Sequence, residues 1–365
     1  MKKQLIPALI FVFFVGLYVG ISQLNDNDYL FLPIWDVEHY LSISEVGYQV
    51  YPCTPGVDGR FGDICGNSGW YPMWPLVVRA VRTATGISSR SAFIGLTFLF
   101  SFLGFLILFN VVEREHGLGS AALALLALAM GPSSFYLMTG FPYAFFLFIF
   151  GLYLLLLYSS AGIKRDILLF VLAVAISLTY PTGVFVAVVP LVWCFGRMKE
   201  AGVSLKTVRY WLNLAKYLTP FVLGPLLLWI YFYVKFDDFF LQLHFQEKYD
   251  RTWAFPLWIM LKSLAKEPIL SPENLSILWS GLIFLVFIPY RLRKEFWILG
   301  MVLYLFSLTT GTTMSIYRHY LIIFPAYMII GASRRPLLLK IGYVGLGLLI
   351  ALVVLFPKFL AYRLI

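Results

Sequence analysis

Charge is scarce in this chain. Only 13% of its 365 residues are Asp, Glu, Lys or Arg, 61% are hydrophobic, and mean hydropathy is +0.84. Soluble domains run at about 25% charged and about 45–50% apolar, so a soluble globular enzyme and a disordered chain are both excluded. Cysteine and histidine are rare as well, at three and four residues, which excludes a disulfide-rich scaffold and a cysteine-based zinc site. The sequence shows no internal repeat, and its apolar runs are almost free of mid-segment charge. Both absences weigh against a transporter or lipid flippase, which usually repeats itself and keeps polar groups at the bilayer midplane.

What is there is a series of apolar runs. A helix needs about 20 residues to span the hydrocarbon core, so a chain of this length holds about ten or eleven spans. The first run, 5–21, follows Lys2 and Lys3, and Ser22-Gln23-Leu24-Asn25-Asp26 after it is a poor cleavage site. It therefore reads as an uncleaved transmembrane helix with a cytoplasmic N-terminus. Further segments fall at 91–112, 119–137, 141–158, 166–180, 183–196, 217–234, 275–290, 296–313, 320–332 and 341–356, eleven in all. The expected fold is all-α, one polytopic integral-membrane domain over residues 1–365.

The basic balance tests that topology. Net charge is +10. With the N-terminus inside, the N-terminal lysines, Asp166 and the connections 113–118, 159–165, 197–216, 291–295 and 333–340 hold 16 Lys/Arg against 5 Asp/Glu; the outer parts hold 12 against 13. The asymmetry obeys the positive-inside rule, so the charge is a topology signal and a nucleic-acid partner loses its main support.

Several spans are broken. Residues 166–196 as one helix would be about 46 Å long, and basic residues flank both ends, so a hairpin broken at Tyr180-Pro181-Thr182-Gly183 is expected. Its arms of about 14 residues reach only ~21 Å. Gly131-Pro132-Ser133 and Phe141-Pro142 break the 119–158 hairpin in the same way. Irregular backbone at membrane depth is tolerated where it is buried in protein or lines a wet cavity, so the shortened helices point to an outward-facing cavity.

Two outer segments, 23–90 and 235–274, exceed any simple connector, and long loops are usually functional. Ile34 to Leu41, Gly69 to Leu76 and Trp253 to Lys266 read as interfacial helices rich in Trp and Tyr. Asp36, Glu38 and His39 cluster within four residues there. They form either a solvated face or a site; spacing alone gives a metal site little support. Cys53 and Cys65, with eleven residues between them, either form a disulfide stapling the Gly-rich 56–69 excursion or remain free thiols. Cys194 lies in a span and reads as packing.

Trp35-Asp36-x-x-His39-Tyr40-Leu41-x-Ile43-x-x-x-Gly47-Tyr48 resembles the first outer loop of the phosphatidylinositol-glycan class V family, that is, GPI mannosyltransferase II and its prokaryotic relatives among the GT-C glycosyltransferases. Tyr71-Pro72-Met73-Trp74-Pro75-Leu76, Pro181-Thr182-Gly183, Gln246-x-x-Tyr249-x-Arg251 with Pro256, and Arg318 with Phe324-Pro325 resemble further motifs of that family, in its order. The chain departs from the pattern where Tyr143-Ala144 follows Pro142 in place of a glutamate. It also departs where Tyr180 replaces an Arg, His319 a Tyr and Tyr249 a Trp.

The resemblance implies transfer of a sugar, mannose first, from a polyprenyl-phosphate donor to a lipid-, glycan- or protein-linked hydroxyl on the extracytoplasmic face, with inversion. Phosphate leaves without protonation if its charge is compensated, so one base and one cation suffice where glycosidases need two carboxylates. Asp36 is the expected base. A carboxylate is a weak base toward an alcohol, so proton transfer comes late and relies on positioning. Arg318, with Arg251 and Gln246, is expected at the donor phosphate or sugar, since a guanidinium forks onto phosphate oxygens. Glu38 and His39 are expected to orient the acceptor. No cofactor is called for beyond the lipid-linked donor, and a divalent metal stays open. Membrane lipids and a partner subunit complete the expected partners, and a non-catalytic subunit is the remaining alternative. A prokaryotic plasma membrane is the expected location, the endoplasmic reticulum its eukaryotic equivalent.

Overall fold

The computed structural model describes residues 2–54, 64–204, 206–247, 249, 251–287 and 293–364. Most of the Gly-rich excursion and the end of the 275–290 span lie outside the described residues. In chain order the helices are α1 (Leu5–Leu24), α2 (Asp36–Val46), α3 (Met73–Thr85), α4 (Ser89–His116), α5 (Leu118–Ala129), α6 (Tyr143–Leu157), α7 (Ile163–Ser177), α8 (Val188–Glu200), α9 (Val208–Phe236), α10 (Leu241–Glu247), α11 (Pro256–Lys266), α12 (Pro272–Val286), α13 (Lys294–Leu308), α14 (Ile316–Tyr320), α15 (Phe324–Ala332), α16 (Leu337–Ile350) and α17 (Phe356–Leu360).

Each of the eleven apolar segments falls on helix. Among the described residues, five stretches are long and apolar enough to cross a membrane unaided: α1, α4, Pro181–Glu200, Tyr210–Phe236 and Leu337–Leu360. The other six correspond to helices of 9 to 15 residues. The expected breaks are present. A 3-10 turn, Ser134–Met138, separates α5 from α6, and another, Pro181–Ala187, joins α7 to α8. At the second break a Cβ on Gly183 would stand 2.2 Å from the Ile176 carbonyl oxygen, so only glycine lets the chain double back so closely. The outer segments contain α2, α3, α10 and α11 as short helices, and Trp253 and Trp258 are largely exposed.

Strands were not expected. Val50–Pro52 (β1) and Ile64–Gly66 (β2) form a small antiparallel ribbon with Tyr51 opposite Cys65. Cys53 and Cys65 are disulfide-bonded, Cα to Cα 4.9 Å, which decides between the two readings of these cysteines.

Ion pairs tie the basic connections together at one end of the bundle. Lys3 Nζ lies 2.5 Å from Glu113 Oε1, which makes α1 and α4 antiparallel. Arg293 meets Glu115 at 2.6 Å, Arg335 donates to the Val286 carbonyl, and Asp166 pairs with both Arg165 and Lys216. These are the segments assigned to a single side by charge counting. The outer segments gather at the opposite end. There Trp74, fully buried, stacks on Phe145 and donates to the Gly140 carbonyl at 2.9 Å, while the Met73 amide donates to Leu178 O at the end of α7. α3 is thereby pinned over both helix breaks.

Small residues allow close helix approach. On α15 a Cβ at Gly331 would sit 2.4 Å from the Ser120 carbonyl and 2.8 Å from Ala124 Cβ on α5, the small-residue packing that membrane helices favour. Gly331→Leu is expected to push α15 off α5 and lower stability in detergent by about 1–3 kcal/mol. Gly342→Leu, with nothing within 4 Å, should leave the thermal midpoint unchanged.

Candidate active site

Asp36 and Arg318, from distant parts of the chain, meet at the end of the bundle where segments 23–90 and 235–274 gather: Arg318 Nη1 lies 2.9 Å from Asp36 Oδ2. The Arg318 side chain is 9% exposed and Asp36 28%, so the guanidinium is enclosed while the carboxylate keeps an opening. Each is delivered by unusual backbone. Trp35, just before α2, has φ 52° and ψ −126°, and Ser315, which leads into α14, has φ 60°. Positive φ in a non-glycine residue costs about 1–3 kcal/mol and persists only where surroundings enforce it. Trp35 is held by stacking on Tyr362 (4.9 Å) and by the edge of Phe359 (5.4 Å). α14 is held where Ser133 Oγ donates to the Tyr317 carbonyl at 2.7 Å, and the guanidinium lies 5.3 Å from the Phe141 ring. The broken 130–142 tip is therefore buried in protein, as its backbone requires, and serves as the back wall of the arginine.

Arg251 enters from the second outer segment. Its Nη1 donates to Gln246 Oε1 at 2.7 Å, and it lies within electrostatic range of Arg318, Asp36 and Tyr180. The two outer segments lock together at Gly69, where a Cβ would strike the Phe245 ring at 2.6 Å. Next to it, Trp70 stacks on His39 at 3.6 Å and meets Phe245 edge-on.

The structure thus brings Asp36, Arg318, Arg251 and Gln246 together. His39 is committed to the Trp70 face, and Glu38, about 200° round α2 from Asp36, is exposed. Among the described residues no group of three His, Cys, Asp or Glu is placed to hold a metal ion.

Two further groups line the same site. Tyr180 Oη lies 2.5 Å from His319 Nδ1 and 3.5 Å from Tyr143 Oη. These three are among the positions where the sequence departs from the mannosyltransferase-like pattern, and departure was the only signal that marked them. His319 stands outside the spans. Burial, then Arg318 and Arg251, hold its pKa well below the ordinary imidazole value. For Arg318, burial opposes charge, but Asp36 and the surrounding tyrosines push the guanidinium above its ordinary value. One carboxylate thus faces two permanent cations, and the Nε of each arginine is buried without a hydrogen-bond partner. The site has the charge and the free donors to take an anion.

No family model matches the chain, and no curated protein does. Among solved structures, the chain is similar to a crystal structure of the Archaeoglobus fulgidus oligosaccharyltransferase in complex with zinc and sulfate, at 14% identity and a TM-score of 0.45. The alignment covers 98% of this chain and 52% of that one, so the chain spans about half the length of the protein it matches.

The ion pair predicts a coupling energy. Asp36→Asn and Arg318→Gln are each expected to cost about 1–3 kcal/mol of stability, less than a fully buried pair because Asp36 is partly open. The double variant should lose less than the sum of the two by about 1 kcal/mol or more in thermal unfolding; strict additivity would mean the pair contributes nothing.

Proposed function

We propose that this chain is a GT-C-type glycosyltransferase that moves a sugar, mannose, from a polyprenyl-phosphate donor to a lipid-, glycan- or protein-linked hydroxyl at the extracytoplasmic face of a prokaryotic plasma membrane. The observation that carries the reading is the meeting of Asp36 with Arg318, beside Arg251, where the Nε of each arginine is buried without a hydrogen-bond partner. The motif order described above supports the same class.

In this reading the donor phosphate takes the free edges of Arg318 and Arg251, and Gln246 fixes the angle of Arg251. Two guanidiniums offset the negative charge that grows on phosphate as its bond to the anomeric carbon breaks. Asp36 lies on the open side, receives the acceptor hydroxyl and takes its proton as the new bond forms on the opposite face of the sugar, which gives inversion. The Arg318–Asp36 contact fixes the distance between phosphate and base, so that donor and acceptor are held in line. The chemistry calls on no group beyond the lipid-linked sugar; a metal requirement is read by running the assay with EDTA and with magnesium.

The test is sugar transfer by purified protein in lipid, with radiolabelled polyprenyl-phosphate mannose and a total lipid extract as acceptor source. Wild type should label a new lipid, and Asp36→Asn at equal protein level should lose at least about 10²-fold. Arg251→Ala should raise the donor KM about tenfold, with a smaller change in kcat. Equal transfer by wild type and Asp36→Asn would remove the base assignment. No transfer from any donor sugar would turn the reading to a non-catalytic subunit or a flippase.

A further inference from the structure

Three residues that break the expected pattern, Tyr143, Tyr180 and His319, come from three separate parts of the chain yet form one continuous hydrogen-bonded row. The pattern would place a glutamate and an arginine at the first two positions, an acid and a base of fixed charge. Here the row ends in an imidazole, a side chain whose charge its surroundings can switch.

The surroundings of His319 decide when it charges. Arg318 faces it from α14 and Arg251 from the second outer segment, both repelling a proton. Tyr180, at the α7–α8 break, touches Nδ1. Asp36, the nearby carboxylate, is engaged by Arg318. An imidazole beside two cations gains a proton only when further negative charge arrives. Tyr180 suits both states of the ring: a hydroxyl donates to Nδ1 when the ring is neutral and accepts from Nδ1–H when it is charged. Neither state leaves a buried polar atom unpaired at that contact, and Tyr143 Oη continues the row behind it.

We propose that His319, braced by Tyr180 and Tyr143, is the proton-accepting residue of a phosphate-monoester site: a dianion lodged against Arg318 and Arg251 draws one proton onto the imidazole. The anion-binding part stands on the geometry alone. Its place in a reaction rests on the glycosyltransferase reading. In that reaction the sugar–phosphate bond breaks with its electron pair passing to phosphate, so a phosphodiester monoanion becomes a monoester dianion. The acceptor hydroxyl loses one proton, first to Asp36. One negative charge and one proton therefore appear together, and a protonated His319 keeps them in the same site, which favours the departing lipid phosphate over the incoming donor.

The experiment is binding of farnesyl monophosphate, and separately of inorganic sulfate, to the full chain in nanodiscs between pH 8 and pH 5.5. Sulfate keeps its double charge over this range, so any pH dependence of its binding belongs to the protein. Wild type should bind sulfate progressively tighter on acidification, by at most about tenfold per pH unit, the limit for uptake of one proton. His319→Gln should bind it with a flat profile. The Cε1 resonance of His319, assigned by its absence in His319→Gln, should move from the neutral to the imidazolium position when farnesyl monophosphate is added near pH 7. Tyr180→Phe, with the imidazole retained, should keep the resonance shift but weaken it.

A flat wild-type profile, or an unmoved His319 resonance with ligand bound, would overturn the inference even if His319→Gln failed to fold. Farnesyl monophosphate binding no tighter than sulfate would leave an anion site without a lipid-phosphate preference, and would overturn the monoester assignment. Sugar transfer measured alongside separates the two readings. Transfer without proton-linked binding removes only the role of His319, and proton-linked binding without transfer removes only the glycosyltransferase reading.

Discussion

The ion pair between Asp36 and Arg318 is the constraint on which the outer half of the molecule depends. A guanidinium that is 9% exposed needs its counter-charge, because an uncompensated charge away from water is far costlier than an imperfect pair. To bring the two side chains within 2.9 Å, the backbone accepts positive φ at Trp35 and at Ser315, two of five such non-glycine residues among those described. Their strain is balanced locally by aromatic stacking on Trp35 and by the clamp of Ser133 on α14. The pair therefore organises its neighbours as well as joining two elements.

The broken helices follow from the same requirement. A helix crossing the whole apolar layer would carry its backbone past the site and leave no irregular segment to line it. By stopping at Ala129 and at Ser177, α5 and α7 leave breaks in which Phe141, after the first 3-10 turn, and Tyr180, just before the second, reach the arginine and the histidine. Close packing at Gly183 and Gly331 keeps these shortened elements from separating. α3, with Trp74 buried to its ring nitrogen, closes the assembly from outside.

Much of this was legible in the residues. Hydropathy gave the helices, charge asymmetry gave the side on which the connections gather, and Gly-Pro pairs gave the breaks, because each rests on a local property of the chain. Asp36, Arg251, Gln246 and Arg318 stood out as chemistry-bearing groups in outer segments. Their mutual distances did not, since spacing along a chain says nothing about contacts between its two ends. Glu38 and His39 were grouped with Asp36 by proximity in sequence, yet helical rotation carries Glu38 to the exposed side, and Trp70 captures His39. The β-ribbon went unseen because three-residue strands have no periodicity to detect. Trp35 and Ser315 gave no sign of their conformation, neither being a residue type that favours positive φ.

The bracing of Trp35 has a consequence for the order in which the molecule is made. The rings that fix it, Phe359 and Tyr362, and the Leu360 carbonyl that accepts from Asn27 at a separation of 333 residues, all lie far downstream and leave the ribosome long after it. Until then Trp35 lacks the rings that brace it, and before Arg318 is made the carboxylate at the first turn of α2 lacks its arginine. The apolar helices upstream are free to enter the bilayer one after another while the site stays open, and its bracing is completed only once residues 359–362 have been made. A nascent chain halted before Phe359 thus has most of its apolar helices but not the stack that braces the entry to α2.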